Sequence, residues 1–289
     1  MRKSAFISCL ALVISLQASP VSASITQQWD SKTKIEGLVT IPQGTVVTVS
    51  PGTKITVGSK AKIIVQGELL APQGLSLVGG NWLGLVVSGS ATLTNFVQKG
   101  AQQPFHVTDG GSLTINGGVI SGIKDPSLVD GAFVASNLHY QKGRGDGIVS
   151  QKPGATISID KGRFSGSARG AGDFFSLSAG QSLTITNSSI TKVHCAFHIT
   201  GVENMKLDNL VIENNAYGFM MYGSSDQGSR VITNSIITNN NFGFDEGSGY
   251  TKNGAISISN SYIKKNSTDL GLFTKKVVIT SPRSKRTTP

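Results

Sequence analysis

The sequence predicts an all-β solenoid, a single domain in which a coil of three short strands repeats about ten times. Three observations predict this fold. Apolar and polar residues alternate over runs of only four or five residues, the runs recur with a spacing of 20 to 26 residues, and Asn or Gly closes them. Because long amphipathic helical patterns are absent, we assign the chain after its first segment to strands and turns.

The central repeat places Asn after a second strand and Ile at the end of a third. It is clearest in LTITNSSI (183–190), MKLDNLVI (205–212), RVITNSII (230–237) and ISISNSYI (256–263). Weaker copies put Asn95, Gly117, Asn137 and Lys161 at the position of this Asn. Asn and Gly tolerate a left-handed backbone best, so we expect a left-handed turn at each copy, with stacked amides hydrogen-bonded in a ladder. Lys161 breaks the rule and is expected to mark an irregular turn.

A second motif, a small residue followed by Phe, forms the remaining strand of each coil. It occurs in VHCAFHI (193–199), NNAYGFMM (214–221) and NNNFGFDE (239–246). If Phe packs inside, alternation places the neighbouring residues on the outer face of the strand. The outward residues that we predict as candidates for a functional face include His106, His198, Met220, Tyr222 and Asp245.

The first 23 residues have the organisation of an export signal. A positively charged start precedes a short apolar run, and small residues at 21–23 suit cleavage. The run is too short to span a bilayer, and no later segment comes close, so we expect a secreted or periplasmic protein with no transmembrane segment. The predicted organisation is a signal peptide (1–23), a solenoid domain (24–274) and a basic tail or cap (275–289).

The formal net charge of +10 is concentrated in two regions of the chain. The tail holds five basic residues and no acidic one, and residues 142–169 hold six basic residues against two acidic ones. Such patches attract acidic partners. In the second region we predict Lys142, Arg144, Arg163 and Arg169 as candidates for binding an acidic ligand. Nucleic acid is not the expected partner, because basic and aromatic residues interleave little.

Two stretches carry a family resemblance. NWLGLVVSGSATLTNF (81–96) and the repeated NNAYGF and NNNFGF resemble the right-handed parallel β-helix (pectate-lyase-like) superfamily, with its carbohydrate-binding and sugar-hydrolase type repeats. The resemblance covers nearly the whole chain after the signal. It implies a right-handed coil and a substrate groove along the Phe-containing strand. It implies no single activity, because the fold carries lyases, hydrolases, esterases, epimerases, adhesins and inert scaffolds.

The predicted groove residues argue against a glycosidase. Such an enzyme needs two carboxylates facing one bond, and only Asp245 falls on this face. We therefore predict a protein that interacts with an acidic extracellular or cell-envelope polysaccharide without catalysis, as a binder or scaffold. The alternative is a lyase or epimerase acting on acidic sugars, with Ca²⁺ held by acids such as Asp146, Asp160 and Asp173.

A third hypothesis comes from the ligand-type side chains at 194–221. His194, Cys195, His198 and Met220 are donors that suit copper, which would make the chain a periplasmic metal-binding accessory protein. Against this, Cys195 can equally pack as a small buried residue. It is the only cysteine after the signal, so no internal disulfide can form. The expected cofactors are therefore copper under this hypothesis, Ca²⁺ for a lyase and none for a non-catalytic binder.

Overall fold

The computed structural model describes residues 25–178, 180–221, 229–246, 256–271 and 277–280. The predicted signal peptide, Tyr222 and the end of the basic tail lie outside the described residues. All regular elements within the described ranges are strands. No helix among them is long and apolar enough to cross a membrane.

The strands are short and follow one another closely along the chain. The first ten are β1 (Ile25–Trp29), β2 (Leu38–Ile41), β3 (Thr45–Val49), β4 (Thr53–Thr56), β5 (Lys62–Val65), β6 (Glu68–Ala71), β7 (Leu75–Trp82), β8 (Gly84–Val87), β9 (Ser90–Ala101) and β10 (Phe105–Val107). The next ten are β11 (Ser112–Ser121), β12 (Ser127–Val129), β13 (Ala132–Gln141), β14 (Ile148–Ser150), β15 (Thr156–Asp160), β16 (Arg163–Ser165), β17 (Phe175–Ser178), β18 (Ser182–Thr186), β19 (Ser189–Thr191) and β20 (Cys195–Thr200). The last ten are β21 (Asn204–Asp208), β22 (Val211–Glu213), β23 (Tyr217–Met221), β24 (Arg230–Thr233), β25 (Ile236–Thr238), β26 (Phe242–Glu246), β27 (Ile256–Ser259), β28 (Tyr262–Ile263), β29 (Thr268–Leu270) and β30 (Val277–Thr280).

These strands form two sheets, both with parallel pairing. The smaller sheet has eleven described strands in the order β2-β5-β8-β10-β12-β14-β17-β20-β23-β26-β29, and the other strands form a sheet of nineteen. The chain therefore passes once per turn through the small sheet and twice through the large one, which confirms the predicted solenoid of three strands per turn. β30 pairs with β27, so the large sheet continues past the predicted domain boundary at 274.

The core is one continuous column of inward-facing side chains. Alternation buries every second residue of most strands, for example Leu183 and Ile185 in β18. In the small sheet, Phe175, Phe197 and Phe219 stack on successive turns with nearly parallel rings, at centroid distances of 5.2 and 4.9 Å. Stacked aromatic rings add to the burial energy, so this column fixes the register of β17, β20 and β23.

The corner between the two large-sheet strands of each turn has the predicted left-handed backbone. φ lies between 48° and 55° at Asn95, Asn137, Lys161, Asn187, Asn209, Asn234 and Asn260, and at 76° at Gly117. The amide ladder is partly formed: Asn209 Nδ2 donates to Asn187 Oδ1 over 2.8 Å. The prediction that Lys161 marks an irregular turn is wrong, because Lys161 adopts the same conformation as its neighbours.

A second ladder, formed by Asn215, Asn240 and Asn266, runs inside the coil. The backbone N–H of Asn215 donates to Asn240 Oδ1 over 2.9 Å, and that of Asn240 donates to Asn266 Oδ1 over 2.9 Å. The amide nitrogens donate in turn to carbonyl oxygens of the third strands, such as Ile190. Because these amides satisfy buried backbone groups, they stabilise the turns that lead into the strands of the small sheet.

Candidate functional site

The small sheet carries the predicted groove face, and its register aligns the predicted side chains. His198 pairs with Met220, and Met220 pairs with Asp245, on successive turns. His106 lies in the same column four turns earlier, where it pairs with Leu128. Met220 is only 8% exposed, so it lies beneath this face and not on it.

Five side chains meet around β20, and we call them the histidine cluster: Asp173, His194, Cys195, His198 and Met220. The carboxylate of Asp173 joins the two histidines. Its Oδ1 lies 2.9 Å from Nδ1 of His194, and its Oδ2 lies 2.6 Å from Nδ1 of His198. Cys195 Sγ lies 3.3 Å from Nδ1 of His194 and 3.9 Å from Sδ of Met220. The cluster therefore brings carboxylate, imidazole, thiol and thioether within contact of one another.

The loop before β17 brings Asp173 into the cluster. The backbone N–H of Asp173 donates to Asp146 Oδ1 over 2.9 Å, and the N–H of His194 donates to the carbonyl of Gly172 over 2.8 Å. Gly172 has φ +68°, and a Cβ there would lie 2.7 Å from the backbone of Gly145. The loop thus needs glycine to pass this close to the previous turn.

The charges of the cluster follow from burial and hydrogen bonds. Burial opposes ionisation of Asp173, but hydrogen bonds from His198, His194 and Cys195 outweigh it and hold the pKa of this carboxyl well below its usual range. The hydrogen bond to Asp173 raises the pKa of His198. Burial, followed by the charge of Asp173, strongly raises the pKa of the Cys195 thiol. A thiol held in its protonated form is a poor nucleophile, so this cluster does not resemble a cysteine-dependent active site.

The four basic residues predicted to bind an acidic ligand lie in different surroundings. Lys142 is 2% exposed, and its ammonium donates to the carbonyls of Gly145 and Ala171. It cannot reach a polymer at the surface, because the loop that it holds covers it. Arg169 is exposed and donates to the carbonyl of Asn239 and to Asn241 Oδ1, which ties the loop to a turn farther along the coil.

Arg144 and Arg163 are also exposed, and Arg163 lines a cavity. This cavity, the corner groove, follows the left-handed corners of the large sheet over five turns and has a volume of about 680 Å³. Its lining residues include Asn137, His139, Lys161, Arg163, Asn187, Ser189, Asn209 and Val211. Arg163 pairs with His139 on one side and with Ser189 on the other, so basic and polar side chains follow one another along its floor.

Two carboxylates flank the corner groove. Asp160 Oδ1 accepts hydrogen bonds from Asn187 and Thr186, and these two bonds, that from Asn187 first, are the largest causes that lower the pKa of this carboxyl. Asp208 accepts equivalent bonds from Thr233 and Asn234, which lower its pKa in the same way. Both groups therefore stay ionised at neutral pH.

The three acids considered for a Ca²⁺ site do not all come together. Asp160 ends β15 in the large sheet, whereas Asp146 and Asp173 contact each other beside the small sheet. Asp146 also lines a second cavity of about 580 Å³, which includes Asp130 and Lys152. In that region Asp130 Oδ2 lies 3.0 Å from Nε2 of His106, so histidine–carboxylate contacts occur at two places on this face of the described chain, at Asp130 and at Asp173.

Sequence reasoning found the histidines, the cysteine and Met220, but it missed Asp173 as the common partner of the two histidines. Comparison with protein families gives one result: the model described as a right-handed beta helix region matches residues 128–281, which is more than half of the chain. Comparisons with curated proteins and with solved structures find no match.

Proposed function

Since the chain belongs to the right-handed β-helix family, we propose that it binds an acidic polysaccharide in the corner groove, outside the cytoplasm and without cleaving it. The β-helix fold fits polysaccharide-related proteins in general. The observation that supports this proposal most directly is the elongated groove in which Lys161, Arg163 and His139 lie beside stacked Asn amides.

The groove has the periodicity that a polymer needs. Neighbouring parallel strands lie about 4.8 Å apart, so its five turns span roughly 20 Å. Each turn contributes a left-handed corner residue, which is Asn at 137, 187 and 209. An amide both donates and accepts hydrogen bonds, and a sugar hydroxyl does the same. A chain of repeated sugar units laid along the axis would therefore meet similar partners at each step.

Charge selects the class of polymer. The guanidinium of Arg163 is exposed and offers paired donors that fit a carboxylate bidentately. Lys161, on the same turn, adds a second positive charge, although its Nζ lies 3.8 Å from Asp160 Oδ2. Uronate or sulfated units would contact both cations, whereas a neutral glycan offers neither of them a charged partner.

The flanking acids support binding without cleavage. A glycosidase needs one carboxyl with a raised pKa as its proton donor. Asp160 and Asp208 have lowered pKa values and are held by hydrogen bonds from Thr and Asn. Neither carboxyl is therefore suited to protonate a leaving group near neutral pH.

A double variant tests the groove by replacing two of its basic residues with the residue types found at the same positions on neighbouring turns. Lys161→Asn keeps a residue that tolerates the left-handed corner, and Arg163→Ser installs the residue found at position 189. The matched control, Lys152→Asn with Arg144→Ser, removes the same charge from exposed positions outside the groove. Affinity for polygalacturonate and alginate is measured against neutral dextran at several salt concentrations.

We expect binding of the acidic polymers that weakens with salt, and a loss of tenfold or more in the groove variant only, since a charge-assisted hydrogen bond contributes about 1.5–3 kcal/mol. Equal losses in the control would place the binding surface elsewhere. A chain shortened after Thr280 that loses all binding would assign it to the basic tail. Ultraviolet absorbance of unsaturated sugar during incubation with polymer would show a lyase and refute the non-catalytic proposal.

A further inference from the structure

We propose that the histidine cluster is a binding site for a thiophilic transition-metal ion, and that Cu(I) is the ion that fits it best. The site lies on the small sheet, away from the corner groove, and the inference does not depend on polysaccharide binding. Among the described residues, Asp173, Cys195 and His198 each offer a ligand atom, and these three atoms lie within 4.8 Å of one another.

The distances between donor atoms match those around a bound metal. With bonds of about 2.3 Å to sulfur and about 2.05 Å to nitrogen, a tetrahedral ion separates nitrogen from sulfur by about 3.6 Å and two sulfurs by about 3.8 Å. Nδ1 of His194 lies 3.3 Å from Cys195 Sγ, and Met220 Sδ lies 3.9 Å from the same sulfur. The thiol of Cys195 therefore lies at coordination-shell spacing from one imidazole nitrogen and from one thioether sulfur.

The fourth donor comes from the Asp173–His198 pair. Both histidines direct Nδ1 toward the carboxylate of Asp173, at 2.9 and 2.6 Å. An Nδ1 that binds the ion must give up its bond to Asp173, which frees the carboxylate to complete the shell. An imidazole that keeps this bond is held in place by the carboxylate and offers Nε2 to the ion. Binding replaces the thiol proton of Cys195 with the metal and releases that proton to water.

The donor set selects the ion. Thiolate and thioether sulfurs are soft donors that favour Cu(I), and imidazole is compatible with it. Ca²⁺ requires six to eight oxygen ligands, and the cluster offers only the two oxygens of Asp173. Zn²⁺ would use the thiolate and imidazoles but gains little from Met220, so the thioether distinguishes the two metals.

The sulfur donors of the cluster are buried, whereas its two imidazoles are partly exposed to solvent. Cys195 and Met220 are buried on β20 and β23, whose Phe197 and Phe219 rings stack directly beneath. The side chains of His194 and His198 are 39% and 30% exposed, so an ion can enter between the rings. Buried sulfur donors under partly exposed imidazoles leave an ion a path from the solvent.

A metal titration tests the proposal. The purified chain, kept reduced, is titrated with Cu(I) and with Zn²⁺ in competition with chelators of known affinity, and X-ray absorption counts sulfur neighbours. We expect one Cu(I) per chain with a Kd well below micromolar and sulfur neighbours at about 2.3 Å. Cys195→Ser should weaken binding at least 100-fold and Met220→Leu about tenfold, with the second variant affecting Cu(I) more than Zn²⁺.

The pair of His106 and Asp130, outside the cluster, supplies the control. His106 contacts Asp130 on the same face but does not belong to the cluster, so His106→Ala should leave Cu(I) affinity unchanged. Met220→Leu keeps an apolar side chain of similar size and remains informative if Cys195→Ser fails to fold. Cu(I) binding no tighter than micromolar, or tight binding kept by both variants, would overturn the proposal. Preference for Zn²⁺ over Cu(I) would overturn the choice of ion.

Discussion

Asn209 on one turn and Asn187 on the turn before share both a backbone conformation and a hydrogen bond. Their φ angles are 53° and 52°, and Asn209 Nδ2 donates to Asn187 Oδ1 over 2.8 Å. Asn187 Nδ2 in turn donates a hydrogen bond to Asp160 Oδ1 over 2.6 Å. The side chain at this corner thus has two functions: it permits the left-handed turn, and it ties neighbouring turns together.

Substitution at Asn187 separates these two functions. Asn187→Gly keeps the left-handed turn and loses the hydrogen bonds, as Gly117 does in its own turn, so we expect a loss of about 1 kcal/mol in the free energy of unfolding. Asn187→Val adds the strain of a branched side chain, about 1–2 kcal/mol more. Urea unfolding followed by circular dichroism measures both. Equal losses would show that the corner does not need its left-handed residue.

The buried Asn ladder should contribute more per residue than the exposed one. Asn215 is fully buried, its Oδ1 accepts from the N–H of Val193, and its Nδ2 donates to the carbonyl of Ile190. Asn215→Ala removes both of these hydrogen bonds at buried backbone groups, which we expect to cost about 2–4 kcal/mol. Asn204→Ala, at an exposed strand position, is the control and should change unfolding by less than about 0.5 kcal/mol. Similar values for the two variants would contradict this role.

The repeat explains why so much of the fold could be predicted from the sequence. Strand type, inward Phe and Ile, and the left-handed corner each recur with one period, so every copy supports the others. Lys161 shows the limit of this reasoning. Its residue type suggested an irregular corner, but the strands on either side, β15 and β16, keep their register with β18 and β19 and impose φ 55° on it. Tertiary pairing overrides the local preference.

The histidine cluster could be predicted only in part, for a physical reason. His194, Cys195 and His198 lie within five positions, whereas Asp173 comes from the preceding turn through a loop that does not follow the repeat. The loop's path depends on Gly172 and on the hydrogen bond to Asp146, neither of which forms a periodic pattern. The same loop covers Lys142, which is why a residue predicted at the surface is buried.

The aromatic column should be the most sensitive part of the core. Phe197 is fully buried between Phe175 and Phe219, with both neighbouring rings within 11° of parallel. Phe197→Ala opens a cavity in the middle of the stack, and we expect it to lower the free energy of unfolding by about 3–5 kcal/mol. Phe197→Leu fills most of that space, so we expect it to cost less than half as much. Urea unfolding gives both values. A loss below about 1 kcal/mol for Phe197→Ala would mean that neighbouring turns collapse into the space.

The buried ammonium of Lys142 should make stability depend on pH in the alkaline range. Burial lowers the pKa of Lys142 from 10.5 to about 8, and the nearby charges of Asp146 and Asp173 only partly oppose this. Between these two pH values the unfolded chain holds the lysine proton more firmly than the folded chain does. The free energy of unfolding attributable to Lys142 must therefore rise as the pH increases from about 8 to 10.5.

The comparison with Lys142→Met isolates this contribution, because all other groups titrate in both proteins. We expect the difference in unfolding free energy between wild type and Lys142→Met to change by about 2 kcal/mol in favour of the wild type across this range. Urea unfolding at several pH values provides the measurement. A difference that stays constant with pH would show that the ammonium is solvated in the folded chain. In that case the loop would be open, and Lys142 would return to the surface available to an acidic ligand.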